Sequence, residues 1–141
     1  MSANSRLTVA IHILSWMALV ERRRPDPVTS DKIAASVNTN PVVIRRTLGL
    51  LRRGGLVRVQ RGANAGWKLA KRADAITLLD IYRAVDDAPL FALHATRPNQ
   101  ACPIGRGIQP ALKQVYAALE DQLGRQLRKL TIEQVLTETL A

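Results

Sequence analysis

The sequence predicts a mainly α-helical domain that carries one small β-hairpin and a long helix near its C-terminal end. Three observations lead to this fold class. Apolar residues recur at helical spacing through most of the chain, two short runs flank a glycine-bounded turn, and a late leucine-rich stretch repeats every three or four residues. The chain has 141 residues, of which 47% are hydrophobic, so it can bury a core of its own.

Two helices are predicted before residue 40. The apolar stripe of the first runs over Ser5–Glu21, and the segment Arg24-Pro25-Asp26-Pro27 ends it because proline cannot continue a helix. Ser30 is the predicted N-cap of a short second helix, Asp31–Val37. The first run is too short and too interrupted to span a bilayer, and it lacks the charge order of a secretion signal.

A third helix and a hairpin follow. Asn40 can cap the helix, and Pro41 suits its first position because the missing N–H costs nothing there. The helix is predicted to end at about Arg53, where Gly54 and Gly55 accept the conformations that follow a helix end. Two strands are then predicted around the turn 62–66, over Leu56–Arg61 and Trp67–Leu69.

The second half of the chain contains a loop and further helices. Thr77 begins a short helix that runs to about Val85, and the proline-rich segment 86–107 is predicted to be a loop. Pro110 is predicted to begin the long helix, and Thr131 to cap the last one. These predictions divide the chain into a first domain, a linking or sensing loop and a helical end, with the boundaries 1–86, 87–107 and 108–141.

The charge of the chain is concentrated in its first half. The formal net charge is +10; residues 1–72 contain 14 Lys and Arg against three acidic residues, a net of +11, and residues 73–141 contain seven against eight. A basic excess on one part of a chain is typical of nucleic-acid binding. The second half must serve another purpose.

The third helix has one apolar and one arginine-bearing side. Val43, Ile44, Thr47, Leu48 and Leu51 lie on the first side, and the arginines lie on the other with Gly49 among them, where the backbone could approach DNA closely. Helix, turn, helix and hairpin in this order predict a winged helix-turn-helix whose third helix enters the major groove. The predicted DNA contacts are Ser30, Thr39, Asn40, Pro41, Val42, Arg45, Arg46, Arg52, Arg53, Arg61, Asn64 and Lys68. Of these, the expected base or near-base contacts are Thr39, Pro41, Val42, Arg45 and Arg46. We expect Arg52 and Arg53 to contact phosphates, and the hairpin residues to lie along the backbone or in the minor groove.

Three stretches together resemble the Rrf2 family of bacterial winged-helix transcription regulators. They are "TSDKIAASVNTNPVVIRRTLGLLRRGGLV", "RGANAGWKLA" and "ITLLDIYRAV". The resemblance implies a homodimer joined through the long C-terminal helix and a partly palindromic double-stranded DNA operator. The family's wing usually has two glycines before an aromatic residue; here Ala65 replaces one of them, which predicts a stiffer tip.

The leucine-rich stripe predicts a dimer on physical grounds as well, since an isolated amphipathic helix must bury its apolar face. A two-fold dimer would separate two recognition helices by about 34 Å, one turn of DNA. The alternative is that the stripe covers the core of its own chain. The predicted dimerisation residues are Leu112, Tyr116, Leu119, Leu123, Leu127 and Leu130.

Cys102 is the single cysteine of the chain and lies in the predicted loop. Cluster-binding members of the family that this chain resembles have three cysteines there, so a cluster held by three local thiolates is excluded and no cofactor is predicted. Cys102 instead suggests a thiol switch, its pKa lowered by a helix dipole and by Arg97 or Arg106. The alternatives are a buried cysteine without chemistry, or a cluster shared across a dimer with His12 or His94.

A small effector bound near Phe91, Leu93 and Tyr116 is a further alternative for the signal. No phosphate loop or HExxH pair indicates an enzyme. We interpret the chain as a cytoplasmic, dimeric, sequence-specific regulator, a repressor that does not contact membranes. The rival functions are a nonspecific nucleic-acid binder, of nucleoid or RNA-binding type, and a protein-interaction winged helix.

Overall fold

The computed structural model describes residues 3–86 and 88–141, and the side chains from Ser5 onward. It contains six helices and one two-stranded antiparallel sheet in these residues. In chain order they are α1 Ala3–Arg23, α2 Ser30–Val37, α3 Pro41–Arg53, β1 Val57–Gln60, β2 Gly66–Leu69, α4 Leu78–Val85, α5 Pro103–Arg128 and α6 Ile132–Leu140. A 3-10 turn, Ala73–Ala75, precedes α4. The predicted fold class, mainly helical with a hairpin wing and a long C-terminal helix, is confirmed.

Contacts divide the chain into two units. The first contains the described residues up to Asp86 together with Leu127–Ala141, and the second is Ala88–Gln126. The helix α6 belongs to the first unit because it packs on α1 and on the 3-10 turn. The predicted boundaries had grouped this last helix with the long helix.

The core of the first unit lies between α1, α2, α3, α4 and α6. Its fully buried large side chains include Ile13, Leu14, Ile44 and Leu48, each with no exposed surface. Burying each such side chain contributes roughly 1.5–3 kcal/mol to folding. The apolar side of α3 is therefore fixed, and its other side must face outward.

Short backbone bridges close this unit at its C-terminal end. The N–H of Leu78 donates to the carbonyl of Leu130 at 2.9 Å, and the N–H of Ile132 donates to that of Ile76 at 3.0 Å. Both helices that follow begin with capping boxes, one between Thr77 and Asp80 and one between Thr131 and Gln134. The predicted helix starts at Thr77 and Thr131 are confirmed.

Two predicted helix starts are wrong. The N-cap of α2 is Thr29, whose side chain accepts from the N–H of Lys32, and Ser30 is the first residue of the helix. The long helix begins at Pro103, so Pro110 lies within it and residues 103–107 are helical and not part of a loop. A proline is accepted at the first position of a helix, and Pro103 satisfies this rule seven residues earlier than predicted.

The end of α3 differs in detail from the prediction. Gly55 has the left-handed conformation, with φ of 76°, and the N–H of Leu56 donates to the carbonyl of Leu51 at 2.9 Å. This pattern closes the helix as a Schellman motif. Gly54 keeps a helical φ, and a Cβ there would lie 2.8 Å from Cβ of Ala84, so this glycine permits the close approach of α4.

Gly54→Ala is expected to lower the free energy of unfolding by about 1–3 kcal/mol because the added methyl overlaps Ala84. Gly49→Ala is the matched control, since no atom lies within 4 Å of a Cβ built there. It is expected to raise the free energy of unfolding by up to about 1 kcal/mol through helix propensity. Urea denaturation of both variants measures this; equal effects would show that the Gly54 contact is not tight.

Candidate nucleic-acid interface

A tight turn sets where α3 begins. Asn38 has the left-handed conformation with φ of 61°, and its N–H donates to the carbonyl of Ala34 at 2.8 Å. Asn40 is the N-cap of α3: its side-chain oxygen accepts from the N–H of Val42 at 2.8 Å. Pro41 is the first helical residue, as predicted. The first turn of α3 is thus fixed by local bonds and does not depend on a ligand.

The two sides of α3 divide as predicted, except that Val43 on the apolar side is half-exposed. Ile44, Thr47, Leu48 and Leu51 are buried, and the hydroxyl of Thr47 donates to the carbonyl of Val43 at 2.9 Å, which satisfies its buried oxygen. The outward side chains include Val42 and all four arginines of the helix, and each of these is exposed. The predicted base contacts and the predicted phosphate contacts on α3 therefore occupy one accessible side.

The hairpin β1–β2 carries two cations on its outer side. Val57 pairs with Leu69 and both are buried, so the next pair, Arg58 and Lys68, points to the opposite side. Lys68 was predicted as a contact; Arg58, its partner in the hairpin, was not considered. Its position in an alternating run, one residue after a buried valine, was the available signal.

The wing is anchored to the loop between α1 and α2. Val28 and Trp67 exchange two backbone hydrogen bonds of 3.0 and 2.7 Å. A Cβ on Gly66 would lie 2.7 Å from the carbonyl oxygen of Val28, so only glycine fits beside this bridge. The side chain of Asn64 donates to Asp26 at 3.3 Å, which holds the tip to the same loop. Arg61 is exposed at the start of the tip.

An open concavity lies between α3 and the hairpin. Its walls are formed by five residues of α3 and one of β2: Arg45, Arg46, Gly49, Arg52, Arg53 and Trp67. Trp67 was not among the predicted contacts. Four arginines line this one concavity, and a guanidinium group can bind phosphate or a guanine edge in a bidentate way. Thr39 is half-exposed in the turn before this helix.

Cys102 lies immediately before α5 in the second unit and is exposed. Backbone N–H groups of Gly105 and then Ile104 lower the pKa of its thiol, since they stabilise the thiolate. The causes of a lowered pKa that the sequence predicted were the helix dipole and Arg97 or Arg106. The lowering comes from backbone N–H groups at the start of the helix and not from these arginines. The alternative of a buried cysteine is wrong.

A structured loop supports this thiol. The carbonyl of Asn99 accepts from the N–H of Cys102 at 3.2 Å, and a Cβ on Gly105 would come within 2.1 Å of the same oxygen. The loop therefore requires glycine three residues after the cysteine. Phe91 and Tyr116, predicted as walls of an effector pocket, contact each other with ring centroids 5.0 Å apart.

The outward residues of α5 include several large apolar side chains within the second unit. Ile104 is 71% exposed, Val115 52% and Leu119 41%, while Leu112 and Leu123 are half-exposed. The other predicted dimerisation residues, Tyr116, Leu127 and Leu130, are not part of this exposed apolar set. Tyr116 contacts Phe91, Leu127 is buried, and Leu130 lies beyond the end of the helix at Arg128.

A helix-turn-helix with an arginine-lined recognition helix and a basic wing defines a winged-helix protein of the DNA-binding class. The chain belongs to the Rrf2 family: residues 3–138 match the family model described as "Iron-dependent Transcriptional regulator". It is therefore a transcriptional regulator and not an enzyme. No helix in the part of the chain described here is long and apolar enough to cross a membrane.

Three relatives illustrate the likeness. The chain is 40% identical to YwnA of Bacillus subtilis, a protein provisionally named as a helix-turn-helix transcriptional regulator. The match covers 94% of this chain and 96% of YwnA. A crystal structure of a provisionally assigned DNA-binding protein is 35% identical, with a TM-score of 0.72 over 94% of this chain and 99% of that one. CymR, the global cysteine regulator of Bacillus subtilis, is 25% identical over 86% of this chain and 80% of CymR; its solved structure is similar in fold, with 21% identity and a TM-score of 0.68 over 98% and 96% of the chains.

The family description mentions iron, and the residues of this chain do not fit a cluster held within one chain. Cys102 is the single thiol, and the described residues contain no group of three or more His, Cys, Asp or Glu side chains placed to hold a metal ion. His12 lies 3.0 Å from the hydroxyl of Ser36 and has a structural partner.

Proposed function

We propose that this chain is a sequence-specific repressor that binds a partly palindromic DNA operator as a homodimer in the cytoplasm. The observation that carries the proposal is the outward side of α3, whose arginines share one concavity with the wing. Gly49 and Trp67 line the same concavity as the arginines, so the surface is shaped as well as charged. The net charge of +11 on residues 1–72 favours the same partner.

The test is binding to DNA upstream of its own gene against excess random duplex, followed by fluorescence anisotropy at about 0.15 M salt, where nonspecific attraction is weak. A preference of about a thousandfold or more supports a specific regulator. Equal affinity for both DNAs, together with a steep salt dependence, would favour the rival function of a nonspecific nucleic-acid binder.

Gly49→Ala is expected to weaken DNA binding by about 1–3 kcal/mol while leaving the fold intact. Gly49 lines the concavity, and nothing in the protein occupies the space of its missing side chain. Stability and affinity should therefore change in opposite directions, which a general folding defect cannot produce. Anisotropy with operator DNA measures the loss, and unchanged affinity would mean that DNA does not approach α3 at this residue.

The homodimer is supported by α5. Ile104, Val115 and Leu119 are exposed apolar side chains on a 26-residue helix, and an exposed stripe of this kind is typical of an interface. We propose that the dimer contact is formed by Ile104, Leu112, Val115, Leu119 and Leu123. Two copies related by a two-fold axis would present two recognition helices to two half-sites.

Control by Cys102 is the remaining element of the proposal. The thiolate, favoured by the N–H groups of Gly105 and Ile104, attacks one sulfur of a low-molecular-weight disulfide. A new S–S bond forms as the old one breaks, and the second half leaves as a thiolate. The adduct adds bulk beside Ile104 at the beginning of α5, which disturbs the proposed dimer contact and weakens DNA binding.

The lowered pKa has a direct test. The rate of alkylation of Cys102 by iodoacetamide should reach half its maximum at a lower pH in the folded protein than in guanidinium chloride, since the thiolate is the reacting form. Oxidised glutathione should then reduce operator affinity of the native protein and leave Cys102→Ser unchanged. Identical pH profiles, folded and unfolded, would remove the chemical basis of the switch.

A further inference from the structure

One side chain in the arginine-bearing side of α3 has no structural explanation. Val42 is 49% exposed although it is apolar, and the outward positions around it are occupied by arginine. An exposed β-branched residue is a poor choice for helix propensity, because its side chain loses rotamer freedom there. The fold therefore gains little from a valine at this position.

The backbone of Val42 is held in place before any ligand binds. Its N–H donates to the side chain of Asn40, and Pro41 precedes it with a fixed φ. Val42 lies in the first turn of α3, and Arg45 and Arg46 follow it by three and four residues. A stiff apolar side chain thus stands at the leading end of the helix, beside two guanidinium groups.

We propose that Val42 reads the C5-methyl group of a thymine in each half of the operator. The major groove offers one apolar group, the thymine methyl, and small apolar side chains contact it. Arginines next to the valine would bind guanine edges or phosphate but cannot distinguish thymine from cytosine by an apolar contact. This inference rests on the proposed function and names one determinant of its sequence preference.

The experiment begins with selection of binding sites from a duplex library with a randomised core, using the native protein and Val42→Ala in parallel. The native protein should select a thymine at one fixed position of each half-site. Replacing that thymine by deoxyuridine removes the methyl group alone and should weaken native binding about threefold to fivefold per half-site, the effect of one buried methyl group. Deoxyuridine at the other thymine positions should have smaller effects.

Val42→Ala removes the two methyl groups and leaves only Cβ, so it should show a weaker preference at that position and a smaller penalty for deoxyuridine, and keep the rest of the selected sequence. Val135→Ala, the same change at a half-exposed position of α6, is the control and should behave as the native protein does. Thermal unfolding of both variants shows whether the fold is retained, which the exposure of Val42 leads us to expect.

The outcomes separate the two levels of the argument. If the native protein selects no common sequence, the proposed sequence-specific function fails and the role of Val42 fails with it. If a common sequence is selected but Val42→Ala shows the same penalty for deoxyuridine as the native protein, the function stands and the inference about Val42 is overturned.

Discussion

Arg45→Ala and Arg46→Ala are each expected to reduce operator affinity by about 1–3 kcal/mol and to relax the preference at one base pair of each half-site. Both residues lie just after the first turn of α3 and are exposed, so the effect should fall on binding and not on folding. The N-terminal part of a recognition helix reaches the base edges most deeply. Competition between operator and single-base variants in an anisotropy assay measures the change.

Arg53→Ala is the matched control because it removes the same group from the other end of the same helix. The eight residues from Arg46 to Arg53 take α3 roughly 10 Å further along its axis. A residue there is better placed for a phosphate, so the variant should bind operator and random DNA more weakly by the same factor and lower the salt dependence. If all three variants lose affinity equally on both DNAs, the assignment of base contacts to the beginning of α3 is wrong.

Bonds that span three or four residues explain why much of the interface could be predicted. The cap at Asn40 and the boxes at Thr77 and Thr131 each join a side chain to a nearby backbone group, so the sequence contains the whole interaction. The same holds for the buried and exposed sides of α3, which follow from helical spacing. These local features position most of the predicted DNA contacts.

Long-range pairings explain what could not be predicted. Val28 forms an isolated bridge with Trp67 of the hairpin, and the helices α2 and α3 separate the two residues in the sequence. A one-residue bridge has no periodicity. The sequence therefore could not predict that the wing is anchored here or that Trp67 lines the concavity. The start of α5 was predicted wrongly for another reason. Pro103 and Pro110 both suit a first helical turn, and the close contact between Asn99 and Gly105 favours the earlier start.

Leu119→Glu is expected to convert the protein to a monomer and to lower operator affinity on the order of a hundredfold or more, because each copy then binds one half-site alone. Leu119 is 41% exposed near the middle of the proposed dimer stripe on α5. A carboxylate placed there would be buried without a partner on association, which is strongly unfavourable. Sedimentation velocity and operator titration measure the two effects separately.

Ala117→Glu introduces the same charge at an exposed position on the opposite side of α5 and should remain dimeric with native affinity. The comparison separates the loss of the interface from a general effect of negative charge near DNA. If Leu119→Glu remains dimeric, the contact lies on another surface. If it is monomeric yet binds the operator as tightly as the native protein does, the two half-sites are not read by a dimer, and α5 instead serves the fold of its own chain.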